Sequence, residues 1–457
     1  MNYHSCSRFW LQAALAVACA ATPLSAATSG TFGNFKYYED GTGLTITGVV
    51  TKPVGVVDIP QLINEKPVTH IGGYAFDGCT NLTGVKIPSS VTSIEGYAFD
   101  GCTNLTSVTI PSSVTNIGEG AFCRCGLTSV TIPPSIKSIG YFAFGECSGL
   151  TSISVDPANP NYSSLDGRVL SDKLKSALIQ CPAGMTGNYT IPNGVTSIEH
   201  AAFFECASLT SVTIPASVKT IGKGAFGSCI ALTSVTIPSG VTSIGDTAFD
   251  GCAALTSVTI SGVTSIGSGV FAGCLWLKSV TISSGVTSIG NYAFSGCDGL
   301  TSVTIPSSVK TIGEGAFYWC SELKSVTISS GVTGIGKYAF DGCTSLTSVT
   351  IPTGVTSIGE YAFQNCTRLA SVTIPNSVKT IGDYAFAGCY GLTSVTIPSS
   401  VTSTGDWAFS GCDGLRSVTI SSGVTGIGNY AFQYCRSLTS ISIPSTVRYF
   451  SAGSFKG

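Results

Sequence analysis

A unit of 23 residues recurs along almost the whole chain, and no other feature restricts its fold so severely. From Cys102 the unit runs Cys-x-x-Leu-Thr-Ser-Val-Thr-Ile-Pro-Ser-Ser-Val-Thr-x-Ile-Gly-x-x-Ala-Phe-x-x and begins again at Cys125. Cysteines mark it from Cys79 to Cys435 at spacings of 22 or 23, with one longer gap between Cys147 and Cys206. A Phe keeps the same rhythm from Phe76 to Phe455.

Within a unit, Ser-Val-Thr-Ile alternates polar and apolar, the pattern of a strand with one buried face. Val108 and Ile110 are expected to point inward, Ser107 and Thr109 outward. Pro111 lacks an N–H to give a ladder, so it ends the strand and turns the chain. A second short run, Val114 to Ile117, alternates again and stops at Gly118, before an Ala-Phe corner. The flanks of a single unit stay wet, so its Leu, Val, Ile, Ala, Phe and Cys can be buried only by stacked neighbours. The predicted fold is therefore a β-rich solenoid of about sixteen coils with parallel strand ladders and few helices. At about 4.8 Å per strand the stack is on the order of 75 Å long.

The unit Leu-Thr-Ser-Val-Thr-Ile-Pro-x-x-Val-Thr-x-Ile-Gly-x-x-Ala-Phe-x-x-Cys resembles the BspA-like class of leucine-rich repeats, over about residues 35 to 457. That resemblance implies a surface protein, since members are described as antigens or adhesins that bind host matrix proteins or other bacteria. The unit departs from the common leucine-rich pattern in one respect. The place of the usual Asn or Cys ladder after the strand holds Ser, Gly or Asn, and Cys stands three residues before the leading Leu.

Residues 1–27 are expected to be a secretory leader, because Phe9 to Ala21 is apolar and Leu24-Ser25-Ala26-Ala27 is a small-residue cleavage region. Thirteen apolar residues are too few for a spanning helix. A lipid anchor at Cys19 is the alternative. Residues 28–70 are expected to cap the array and 71–457 to form the solenoid, because an open end would expose core and strand edge. Between residues 153 and 190 the spacing stretches, and a hairpin protruding from the coil is expected there. The array stops inside a unit at Gly457, so either the last coil pairs with another chain or the sequence continues beyond it.

No catalytic set is expected. His70 and His200 lie far apart in the array, and His200 is expected to be a surface residue at a turn. The polar cluster Asp166, Asp172, Lys173 and Lys175 in the insertion is the remaining place for an enzyme site. Glu119, Asp246, Glu314, Glu360, Asp383 and Asp406 share one repeat position, but Asn291, Ser268, Lys223 and Lys337 occupy it too. That mixture reads as a solvated edge rather than a metal row. The cysteines are expected to form a buried ladder of free thiols, with Cys123 and Cys181 as the reactive exceptions. No cofactor or metal is expected. Charged residues make up 10% of the chain and its net charge is −2, which gives no attraction to nucleic acid.

Binding, if it occurs, falls to the surface. One candidate is the outward threonine lane, including Thr304, Thr350, Thr373, Thr396 and Thr419. The other lies two residues before each Phe, where Tyr338, Tyr361, Tyr384, Trp407 and Tyr430 form an aromatic lane joined by Trp319, Tyr390 and Tyr434. The expected partners are surface or matrix proteins, or glycans, of a host or neighbouring cell, met by a secreted or surface-held protein. A self-assembling surface scaffold, associating through the open C-terminal coil, is the second reading.

Overall fold

The computed structural model describes residues 29–456 apart from Asp40, Thr42 and Ala452, so the expected leader and Cys19 lie outside the described residues. The chain winds into about seventeen turns of about 23 residues, with no helix among the described residues. Each turn supplies a long strand to one parallel ladder and a short strand to another. Ser302–Ile305 lies in register on Ser325–Ile328, and Thr311–Ile312 on Gly334–Ile335. At the N-terminal end the short-strand ladder continues into an antiparallel meander. Ser29–Phe32 pairs with Phe35–Glu39, which pairs with Leu44–Val49, which meets Lys66–Ile71 in parallel.

The third side of each turn has no strand, and its neighbours are joined there in a different way. The Phe N–H of one coil donates to the Ala carbonyl of the next, as from Phe99 to Ala121 and from Phe317 to Ala339, both 2.8 Å. The Phe carbonyl accepts twice, using both lone pairs. One bond comes from the Cys N–H of its own coil, as from Cys320 to Phe317 at 3.3 Å. The other comes from the Cys thiol one coil on, as from Cys102 to Phe76 and from Cys320 to Phe294 at 3.2 Å. The repeated Cys is thus a small buried residue that also closes a hydrogen bond, which Ala could not do. Phe rings stack face to face above these bonds, with centroids 4.9 Å apart for Phe76 and Phe99 and 5.3 Å for Phe317 and Phe340.

Threonine supplies another set of ties. The hydroxyl of Thr115 donates to the Thr92 carbonyl, and that of Thr425 to the Thr402 carbonyl, each 23 residues back. A second row after the leading Leu does the same, as from Thr256 to Thr233. Much of the hydroxyl content of the chain is therefore spent on joining coils.

The coil starting at Cys102 is less regular than its sequence. Ile110 is buried as expected, but Val108 is only half-buried and residues 107–110 join no ladder. The following coil lacks one residue between Cys125 and Leu127, and the bonds joining the two lengthen to 3.3–3.4 Å at Thr128 and Gly126.

The segment 153–190 is a seam in the stack. Tyr162–Leu165 and Val169–Asp172 do form an antiparallel hairpin, and Ala177–Gln180 pairs with its second strand before meeting Ser197–Ile198 in parallel. The hairpin does not protrude, however. Leu165, Val169, Leu170 and Leu178 are at most 2% exposed, because their apolar faces are needed to cover the coils on either side. Cys181 takes the place of the core Phe, its N–H donating to the Ala202 carbonyl as a Phe would. Met185 and Tyr189 fill the missing volume. Neither the short-strand ladder nor the Phe column crosses the seam. The core accordingly divides into two clusters, one before it and one after.

All seventeen described cysteines are buried and free of disulfides. Cys123 and Cys181 are no exception at 6% and 3% exposure, which overturns the expectation that they are reactive. Burial pushes the Cys147 thiol up to about 12 and the Cys79 thiol up to about 11, so these two hold almost no thiolate at neutral pH. An aromatic disulfide reagent at pH 7.5 should therefore find almost no reactive thiol in the native protein and the full complement in denaturant. Stoichiometric native reaction would contradict the buried ladder.

Candidate functional site

The aromatic lane occupies a backbone position with an unusual demand. Two residues before the core Phe, φ lies between +52° and +61° in coil after coil, from Tyr74 to Tyr430. Glycine meets that demand without strain, and the chain uses it at Gly120, Gly224, Gly269 and Gly315. Ala201 and Thr247 hold it in two further coils, and in the others it places Tyr74, Tyr97, Phe142, Tyr292, Tyr338, Tyr361, Tyr384, Trp407 and Tyr430 there. Holding a side chain in this region costs about 1–2 kcal/mol per residue. The compensation lies in the rings. Tyr338, Tyr361, Tyr384, Trp407 and Tyr430 form one continuous stack, with successive centroids 4.7, 4.8, 5.1 and 5.0 Å apart. Such contacts are each worth about 0.5–1.5 kcal/mol, so they offset the strain without clearly exceeding it.

Each ring leans over the next coil. Where that coil has glycine in the lane, the ring lies across it, and a Cβ at Gly120 or Gly315 would sit 2.4 or 2.3 Å from Tyr97 or Tyr292. At Gly315 the column is not lost. Tyr318 enters from the neighbouring position and makes edge contacts with Tyr292 at 6.4 Å and Tyr338 at 6.3 Å. The rings therefore run unbroken from Tyr292 to Tyr430. Sequence reading missed Tyr318 because it sits after the Phe, outside the periodic position.

A polar row borders the rings. Lys337 Nζ lies 5.1 Å from the Tyr338 centroid and 5.6 Å from that of Tyr361, and pairs with Glu360 at 2.7 Å. Tyr292 donates its hydroxyl to Glu314 at 2.7 Å, and burial together with that carboxylate pushes the phenol up to about 12. The carboxylates are not merely a solvated edge. Asp246, Asp383 and Asp406 each accept the backbone N–H of the equivalent residue one coil on, at 2.6–2.7 Å. Among the described residues no group of His, Cys, Asp and Glu is arranged to hold a metal ion.

Trp319, Tyr390 and Tyr434 are about half exposed. Trp319 joins the column through Tyr318 at 6.2 Å, whereas Tyr390 and Tyr434 make no ring contact with it. Thr304, Thr350, Thr373, Thr396 and Thr419 are exposed on the long strands. They belong to a different sheet from the short strands that lead into the aromatic lane, and no hydrogen bond joins the two lanes among the described residues. His200 stands at a turn, as expected, but is not fully exposed. It is half-buried at the seam, edge-on to Tyr141 and Phe142.

The BspA type leucine rich repeat region model matches residues 69–186, 175–300, 264–389 and 356–457 in overlapping blocks. A leucine-rich repeat protein from Bacteroides ovatus ATCC 8483 shares the fold with a TM-score of 0.55 at 24% identity, covering 94% of this chain and 99% of that one. A leucine-rich cell surface protein from Faecalibacterium prausnitzii A2-165 aligns at 26% identity over 94% of this chain and 97% of that one, with a TM-score of 0.38. No curated protein matches the chain.

The balance between strain and stacking predicts an inverted substitution pattern at the lane. Tyr361→Ala keeps the strain and loses two stacking contacts, so it should destabilise by about 1–3 kcal/mol. Tyr361→Gly relieves the strain and should cost about 1 kcal/mol less than the Ala variant. Thr247→Gly, at φ 54°, should raise the melting temperature. Thermal melts of the three variants check this.

Proposed function

Because the chain belongs to the BspA-type leucine-rich repeat family, a scaffold fold, we propose that it is an exported surface protein that binds a protein of a host or neighbouring cell along its aromatic lane. The observation that carries this reading is the placing of rings on a strained backbone position. Glycine serves the fold there in four coils, and stacking returns no more than the strain costs, so stability alone does not favour five successive rings. What distinguishes them from glycine is the face they present. Aromatic side chains bordered by charged and amide groups make the usual composition of a protein interface, with Tyr and Trp as its anchors.

The expected leader at residues 1–27 supports export, and the family supports a place at the cell surface. Among the described residues no helix is long and apolar enough to cross a membrane. The threonine lane of Thr304, Thr350, Thr373, Thr396 and Thr419 leaves its hydroxyls free of protein partners and offers a second, flatter surface.

The test is binding of the purified chain to immobilised matrix and mucosal proteins, with purified glycans as a parallel arm. Beside it runs a variant in which Tyr338, Tyr361, Tyr384, Trp407 and Tyr430 are all changed to Gly, the residue the chain itself uses in this lane. Saturable binding to a protein ligand, weakened at least tenfold in a variant that still melts cooperatively, is the expected result. Equal binding by the variant, or binding to glycans alone, contradicts the lane as a protein-binding face. Self-association without binding favours the scaffold reading instead.

A further inference from the structure

The seam opens a cleft of about 280 Å³, because the short strand Ser138–Ile139 has no partner strand on its far side. Side chains take over the backbone's hydrogen bonds there. The Ile139 N–H donates to the Tyr162 hydroxyl oxygen at 3.0 Å, and the Phe144 N–H to Gln180 Oε1 at 3.4 Å. That second bond orients the Gln180 amide, since an N–H needs the oxygen and leaves Nε2 on the other side. Gln180 is only 7% exposed, yet Nε2 has no protein acceptor, and the residue lines the cleft. Glu199 offers a second unpaired polar atom. One carboxylate oxygen accepts from Ser197 at 2.6 Å, and the other is free of protein donors. The Tyr162 oxygen already accepts a bond, so its O–H is left to donate, and burial raises its pKa and keeps it protonated.

The apolar part of the wall is aromatic. Tyr141 and Phe142 flank His200, whose ring meets theirs edge-on at 5.2 and 5.9 Å. Burial, with Lys223 nearby, lowers the His200 pKa, so the imidazole is neutral at physiological pH. A site of this kind discriminates between ligand classes. An anion would meet the Glu199 carboxylate with no cation among the lining groups. A purely apolar ligand would leave the Gln180 amide and the Glu199 carboxylate desolvated and unpaired. A metal ion would find a single carboxylate. A neutral polyol satisfies all of them, with hydroxyls that both donate and accept and a C–H face to set against the rings.

We infer that the seam cleft of Tyr141, Phe142, Tyr162, Gln180, Glu199 and His200 is a binding site for one neutral pyranose ring, free or at the end of a glycan. The volume lies just below the range of drug-sized pockets, which suits one sugar ring and excludes an oligosaccharide lying along the cleft. Phe142 occupies the lane's backbone position in its own coil, but the site shares no residue with the Tyr338–Tyr430 stack and does not depend on that stack's function.

The experiment is ligand-observed NMR and calorimetric titration of the full chain with glucose, galactose, mannose and N-acetylglucosamine, and with glycans ending in the best of them. At least one sugar should bind saturably with a Kd on the order of a few mM, as about a dozen heavy atoms at ordinary ligand efficiency provide. Tyr141→Ala removes an exposed ring, and Glu199→Gln keeps the Ser197 bond while removing the charge, so both should fold. Each should weaken binding at least tenfold, while the glycine variant of the aromatic lane binds sugar unchanged. Absence of saturable binding by every sugar overturns the inference. So does binding that survives in both cleft variants, or that is lost in the lane variant.

Discussion

The bond from the Phe amide to a carbonyl one coil on, in most coils that of Ala, and the thiol bond back to the Phe carbonyl, are what the rest of this molecule depends on. No coil has a core of its own, and its Phe, Cys, Leu, Val and Ile are dry only because another coil lies on each side. Hydrogen bonds are needed at the third side because no strand ladder runs there and a buried backbone carbonyl cannot go unpaired. Once those bonds set the spacing, identical residues must stack on identical residues. The same spacing brings phenylalanines to about 5 Å in the core and the tyrosines of the lane to about 5 Å outside it.

That regularity also makes much of the fold legible in the amino-acid sequence. The 23-residue period gave the coil, the Ser-Val-Thr-Ile alternation gave the buried face, and the Tyr positions two before each Phe gave the lane. What the period could not convey is anything that departs from it. Tyr318 completes the column from an off-period position. Cys181 looked like a stray thiol, and only its bond to Ala202 identifies it as the substitute for a core Phe. The positive φ of the lane was hidden because Tyr and Trp do not advertise it as Gly does. Nothing local to His200 reveals that Tyr141 and Phe142, about sixty residues earlier, meet its ring edge-on.

The departures from regularity are where the molecule acquires individuality. Many hydroxyls and carboxylates at repeated positions tie coil to coil, which removes those groups from consideration as recognition groups and leaves the outward threonines of the long strands free. The features left over are a column of rings where glycine would serve the fold as well, and a seam where the ladder is interrupted and polar side chains stand in for backbone. Both fit the repeat architecture of the family. A uniform array supplies the reach, and local exceptions to the consensus supply the chemistry.

Native-state hydrogen exchange, resolved along the chain, tests most directly the claim that coil-on-coil bonds are the fold and that the seam divides it. The expected result is strong, cooperative protection of the Phe amides in two blocks, Phe76 to Phe122 and Phe203 to Phe432, that open at different denaturant concentrations with the boundary inside 153–190. A single protection class running through the seam, or Phe amides no better protected than those of the exposed turns, would contradict it.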